Sequence, residues 1–300
     1  MLKEKNSDYG ITAAGSVWTF DNYAELVECA ADRDGSVARA WGGITSGKTN
    51  GDANWFGTQT YAEAEHMALH GWPEGRDKMA NVISASQAAI KTGMAATFDY
   101  DVAGAYPSVP EFVSGNPCHM VTPLHTITAA RPIISIVVSS GFLSDFSPNQ
   151  VHNYFGALMG WIDALESAGN SVELVAASAS RGRGGSTTTL ATTLKQAGDI
   201  LELDRMAFAL VHAASSRRIR FCVLEAQWAD DNLISNFHGY GTPIILLEKF
   251  LDRHPGAIYL SGLVEAAPIQ VSTPAKAAQF VQSQIEATET GRAYIEAART

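Results

Sequence analysis

The sequence predicts an α/β fold whose C-terminal half is a largely parallel sheet flanked by helices, joined to a smaller α+β region at the N-terminus. Three observations carry this. The β-branched run Ile133 to Val138, interrupted only by Ser135, suits a central strand buried on both faces. Ser147-Pro148 opens a helix that runs to about Ala168, with serine as cap, proline at the first helical position and Gly169 as the stop. Ser171 to Ala177 then reads as a strand, and strand, helix, strand in that order forms a right-handed βαβ unit.

In chain order, the first third alternates short aromatic elements with glycine-rich turns. Helices are predicted from about Asn22 to Ala31 and from Tyr61 to His70, the second capped by Thr60 with Glu63 as its capping-box partner. Gly71-Trp72-Pro73-Glu74-Gly75 breaks the chain, and Asp77 to Ile90 resumes as helix. Between Ala95 and Leu124 four prolines forbid long helices and favour an extended linker. The predicted organisation is thus an α+β region over 1–94, a linker over 95–130 and an α/β domain over 131–300. Within the last, a loop at Arg181 to Ser186, a strand from Thr187 to Leu194, a helix from about Leu203 to Ala214, a strand from Ile219 to Leu224 and a helix from Ser272-Thr273-Pro274 to Ala287 follow.

At 300 residues with 46% hydrophobic and 17% charged, the chain is neither disordered nor a disulfide mini-protein. Its 31 acidic residues against 21 basic give a net charge of −10, which excludes a uniformly basic coat on DNA. Cys29, Cys118 and Cys222 have no C-x-x-C spacing and read as buried thiols of a reducing compartment. Met1 to Tyr9 does not resemble a secretory signal, and no apolar stretch is long enough to span a bilayer, so a cytoplasmic protein without membrane contact is expected.

Several motifs bear on chemistry. Gly42-Gly43-Ile44-Thr45-Ser46-Gly47-Lys48-Thr49 fits the phosphate-loop pattern G-x-x-x-x-G-K-[ST], but no buried strand precedes it and Asn50 to Asn54 reads as a turn rather than a helix start. The same segment also reads as a solvated hairpin, or, with Arg39, Trp41, Lys48, Trp55 and Phe56 interleaving cations and aromatics, as a platform on which unpaired bases stack. The opposing reading buries Trp41, Trp55 and Phe56 in the core. Residues 181–220 hold Arg181, Arg183, Lys195, Arg205, Arg217, Arg218 and Arg220 against Asp199, Glu202 and Asp204, seven cations to three anions in an acidic chain. This suggests either a phosphate-binding face or ordinary solvated charge. His66 and His70 share a helical face without a third ligand, so no metal is assigned. No nucleophile elbow, dinucleotide fingerprint or kinase set is present, and a non-enzymatic protein without cofactor is expected.

The strand ending in Val137-Val138 and its continuation Ser139-Ser140-Gly141-Phe142-Leu143-Ser144 resemble the opening of a von Willebrand factor A domain. That family places an aspartate where this chain has valine, so the resemblance implies the fold with the metal site lost. More widely, Arg39-Ala40-Trp41-Gly42-Gly43, Tyr61-Ala62-Glu63-Ala64, Gly71 to Gly75, Asp101-Val102-Ala103-Gly104, Pro107 to Met120 and Ile162 to Glu166 resemble a group of phage- and plasmid-encoded proteins. Near this group stand the single-stranded DNA-binding RNA polymerase cofactors of N4-like phages. That likeness implies a sequence-tolerant single-strand binder in the cytoplasm of an infected bacterium that recruits a phage RNA polymerase to opened promoters. Arg39, Trp41, Lys48, Trp55, Phe56, Arg181, Arg183, Lys195, Arg217 and Arg218 are the candidate contacts, chosen for residue type, since the shared motifs are turns that transfer no contact residue. The alternative is a protein-interaction scaffold on a degenerate A-domain-like fold. Self-association is left open.

Overall fold

The computed structural model describes residues 2–6, 15–32, 46–86, 98–103, 106–108, 112–123, 133–142, 144–181, 187–225, 242–246 and 248–297. Its main sheet runs in the order β1 (Leu2–Asn6), β2 (Gly15–Phe20), β8 (Thr187–Lys195), β7 (Ser171–Arg181), β6 (Ile133–Ser139) and β10 (Ile258–Leu260), with β9 (Thr242–Ile244) on the last residues of β7. β10, β6 and β7 are mutually parallel, β8 returns antiparallel to β7, and β2 lies parallel to β8.

The βαβ unit forms as its residues dictate. Helix α5 (Pro148–Ser167) starts with a full capping box in which Ser147 and Gln150 satisfy each other's backbone N–H, and its residues 151–162 are all buried. Around it pack α4 (Pro73–Ser86), α6 (Leu203–Val211) and α8 (Pro274–Ala287), sharing with Ile134, Ile136, Val138, Leu174 and Ala176 the main core on one face of the sheet. On the same side Trp18, Phe20 and Leu190 meet α1 (Tyr23–Ala31) and α3 (Tyr61–His70). Val17, Val137, Val175 and Ala191 face the other way, against Leu246 and Phe250, the latter from the one-turn helix α7 (Glu248–Leu251). Helix α9 (Glu289–Ala297) follows α8.

Four expectations are corrected. α4 begins at Pro73, not Asp77, because proline at the first helical position leaves no needed N–H unpaired; Gly75 lies so close to the Trp72 ring that a Cβ would sit 2.0 Å from it. Ile219 to Leu224 is not a strand: Ser215–Arg220 form a π-helical turn and 221–225 continue as helix. Residues 98–123 include a three-stranded antiparallel sheet, β3 (Phe98–Asp101), β5 (Met120–Pro123) and β4 (Tyr106–Pro107), rather than a bare linker. The segments on either side of it share one sheet, since β2 pairs with β8, so 1–94 and 131–300 do not hold separate cores. Of the cysteines, only Cys222 is buried; Cys29 and Cys118 are half-buried, and all three are free.

Candidate functional site

The segment after Ser46 is bent back onto the π-helical turn. The Glu225 carboxylate accepts from Ser46 Oγ at 2.8 Å and from the Gly47 N–H at 3.0 Å, Ser46 Oγ accepts from the Lys48 N–H, and Ser46 O accepts from the Thr49 N–H. The amides a phosphate loop would aim at its ligand are thus spent inside the protein. Lys48 is tied down as well: its Nζ lies 3.4 Å from the centre of the Tyr61 ring and donates to Ala31 O. Only a four-residue helix, α2 (Ala53–Phe56), follows. Gly42 to Thr45 lie outside the described residues. The nucleotide reading of this motif therefore has no cradle among the residues seen.

Arg218 organises the segment. Its fully buried guanidinium donates to Thr58 Oγ1 and Thr58 O at 2.7 Å, to Thr49 O at 2.8 Å, to Gly47 O at 3.0 Å and to Gly51 O at 3.4 Å, and stacks over the Phe56 ring. The fit is tight: a Cβ on Gly47 would come 2.5 Å from Arg218 O. Arg218 and Phe56 are therefore structural, and neither is available to a phosphate or a base as the sequence suggested. Trp55, the neighbour of Phe56, points out and is 48% exposed. The Arg217 guanidinium lies 3.9 Å over its ring and also donates to Trp55 O. Asp52 caps α2 by accepting from the Trp55 N–H, which fixes the ring's approach.

The remaining cations do not join this pair. Lys195 is buried, 2.6 Å from Glu166 and donating to Val172 O, so it ties the end of α5 to the start of β7. Arg205 pairs on the surface with Glu202 at 2.9 Å. Arg181 is exposed at the last residue of β7. Arg39, Trp41 and Arg183 lie outside the described residues. The excess of positive charge over 181–220 is real in sequence but dispersed in space, because Lys195, Arg218 and Arg220 fold inward. His66 and His70 pack ring to ring, 4.6 Å apart, on the exposed face of α3.

Sequence reasoning counted Arg220 among the cations of 181–220 but left it out of the candidate contacts. It is buried at the carboxyl ends of the parallel strands, where Nη1 donates to Ser140 Oγ at 2.7 Å and Nη2 to Ala209 O at 3.4 Å. Ser140 is anchored on β7 through its N–H and Oγ to Ala177 O. Ser215 Oγ also donates to Ala209 O, which leaves the Tyr23 hydroxyl to donate to Ser215 at 2.7 Å. Burial pushes the Tyr23 hydroxyl up to about 12 and the Arg220 guanidinium below its usual range. Tyr23 and Ala209 also line a cleft of about 670 Å³, rimmed by Leu69, Ile200, Glu202 and Arg205. At the carboxyl end of β6, Val137 and Val138 are fully buried among apolar side chains, and no described group of three or more His, Cys, Asp or Glu side chains could hold a metal.

The sequence model of a family described as a domain of unknown function, DUF7192, matches residues 9–279. The chain belongs to that family. No curated protein and no solved structure matches it. The DUF7192 match spans both the 46–58 segment and the π-helical turn that holds it. Among the described residues no helix is long and apolar enough to cross a membrane.

Proposed function

We propose that this protein binds single-stranded DNA on the exposed face of Trp55, with Arg217 supplying the charge. The observation that carries this is the half-exposed indole backed by a guanidinium at 3.9 Å. The arginine polarises and holds the ring, and the exposed part of the indole is left to meet a base. A base stacked on an aromatic side chain contributes about 1 to 3 kcal/mol and is read without sequence preference. The clamp of Arg218 fixes Phe56, and through α2 the neighbouring indole, so little ordering is left for binding to do. The net charge of −10 opposes indiscriminate coating of duplex and suits a contact confined to a short patch. On this reading the acidic remainder meets a partner, which we propose is a phage RNA polymerase recruited to an opened promoter in the bacterial cytoplasm, with no catalysis by this chain.

Fluorescence anisotropy of labelled oligo-dT tests the reading. The intact protein should bind at low salt, Trp55→Ala should weaken binding roughly tenfold, and raising salt should weaken it further. Absence of binding at low salt, or equal affinity of Trp55→Ala, would remove the proposal.

A further inference from the structure

Arg220 is a buried cation with no described counter-charge. A guanidinium carries five N–H donors; two of Arg220's are used, on a serine hydroxyl and a helix carbonyl, and no carboxylate lies among its described partners. Among the described groups the Tyr23 hydroxyl is the one that acts favourably on it, and a hydroxyl held at about 12 stays neutral. Buried charges are ordinarily paired, and an incompletely satisfied one points to an ion or ligand that completes the set. Arg218, two residues away, shows what a purely structural buried arginine looks like in this fold: five contacts to loop acceptors.

The location agrees with a ligand. Ser140 follows directly on β6, and ligands of α/β sheets sit beyond the carboxyl ends of parallel strands. Arg220 is presented by a π-helical turn, a distortion that recurs at functional positions. The network Tyr23, Ser215, Ala209 and Arg220 also borders the cleft, through Tyr23 and Ala209. All the side chains that meet here are hydroxyls or a guanidinium, which suits an anion rather than a cation.

We propose that Arg220 and Ser140 form a binding site for a phosphate-type oxyanion, distinct from the Trp55 platform and independent of the DNA reading. The fork of Nη and Nε donors fits two oxygens of such a group, and the Ser140 hydroxyl, which now donates to Ala177 O, redirects its proton to the anion when it arrives.

The test uses inorganic phosphate at low millimolar concentration against chloride at matched ionic strength, read as thermal unfolding of the intact protein. Phosphate should raise the midpoint by roughly 2 to 5 °C, and Arg220→Met should abolish that rise. Because a buried unpaired cation replaced by an apolar side chain of similar length leaves a fold intact or firmer, this variant should still unfold cooperatively. Ser140→Ala provides the second readout, with half-saturation moved upward roughly tenfold. No phosphate-dependent rise in the intact protein, or the same rise in both variants, overturns the site. Phosphate that displaces labelled oligo-dT at matched ionic strength places a strand phosphate there; phosphate that stabilises without displacing it places a free one.

Discussion

Arg218 and Arg220 stand two residues apart on one turn and are both buried, yet the regions they enter are opposites. Arg218 enters a loop that wraps it with carbonyls from Gly47 to Thr58, so its charge is spread over many partial charges and the loop in turn owes its shape to the arginine. Arg220 enters the rigid end of the sheet, where the strands have already paired their backbone groups with each other and offer one hydroxyl. A flexible segment can fold around a cation; a strand end cannot. The same residue type is therefore mortar in one region and, on the proposal above, a binding group in the other, and Arg217, one position before Arg218, turns out to the surface and backs Trp55.

The largest effect that could break this contrast is on the clamp. Arg218→Met should cost about 3 to 5 kcal/mol by leaving several loop carbonyls and Thr58 Oγ1 unpaired, measured by urea unfolding; a cost under about 1 kcal/mol would show that the loop holds itself. Next comes acid. His152 and His212 flank Trp72, with ring centroids 5.7 and 4.5 Å from it, and burial holds both imidazoles below their usual range, His212 at about 4. The unfolded chain then takes up protons first as the pH drops below 6.5, so stability is constant above that and falls toward pH 4 by about 3 kcal/mol. His212→Gln should flatten that slope while Arg218→Met leaves it unchanged; the reverse pattern would move the acid sensitivity to the arginine turn. Smaller still, Arg220→Met without added anion should change stability by no more than about 1 kcal/mol, and a loss as large as that of Arg218→Met would erase the distinction between the two. Trp55→Ala, at a surface position, should stay within about 0.5 kcal/mol.

How much of this could be read in advance follows the same division. The Ser147-Pro148 start of α5, the Thr60 cap, the Ser272-Thr273-Pro274 start of α8 and the β6 strand are local signals, and they stand within a residue or two of where the pattern puts them. Even there a detail shifts, since Glu63 reaches back to the Gln59 N–H instead of that of Thr60. The strand read over Ile219 to Leu224 failed although its correction was present: Ile219, Cys222 and Val223 are the fully buried positions, at helical rather than alternating spacing, and only Phe221 is not buried. The candidate site was half legible. Trp55 and Arg217 are aromatic and cation on one surface, but Phe56, Lys195 and Arg218 have the right chemistry and the wrong address, because a charge count along the chain carries no information about which cations fold inward. Arg220 was counted with those cations but left out of the candidate contacts, because its burial against Ser140, eighty positions away, is not in a charge count.

Photocrosslinking of an oligo-dT carrying 5-iododeoxyuridine, followed by mapping of the modified peptide, addresses the exposed indole most directly. The crosslink should fall on Trp55 and disappear in Trp55→Ala while that variant remains folded. A crosslink confined to a peptide remote from residues 52–58 and 215–220 would contradict the assignment of this face to the strand.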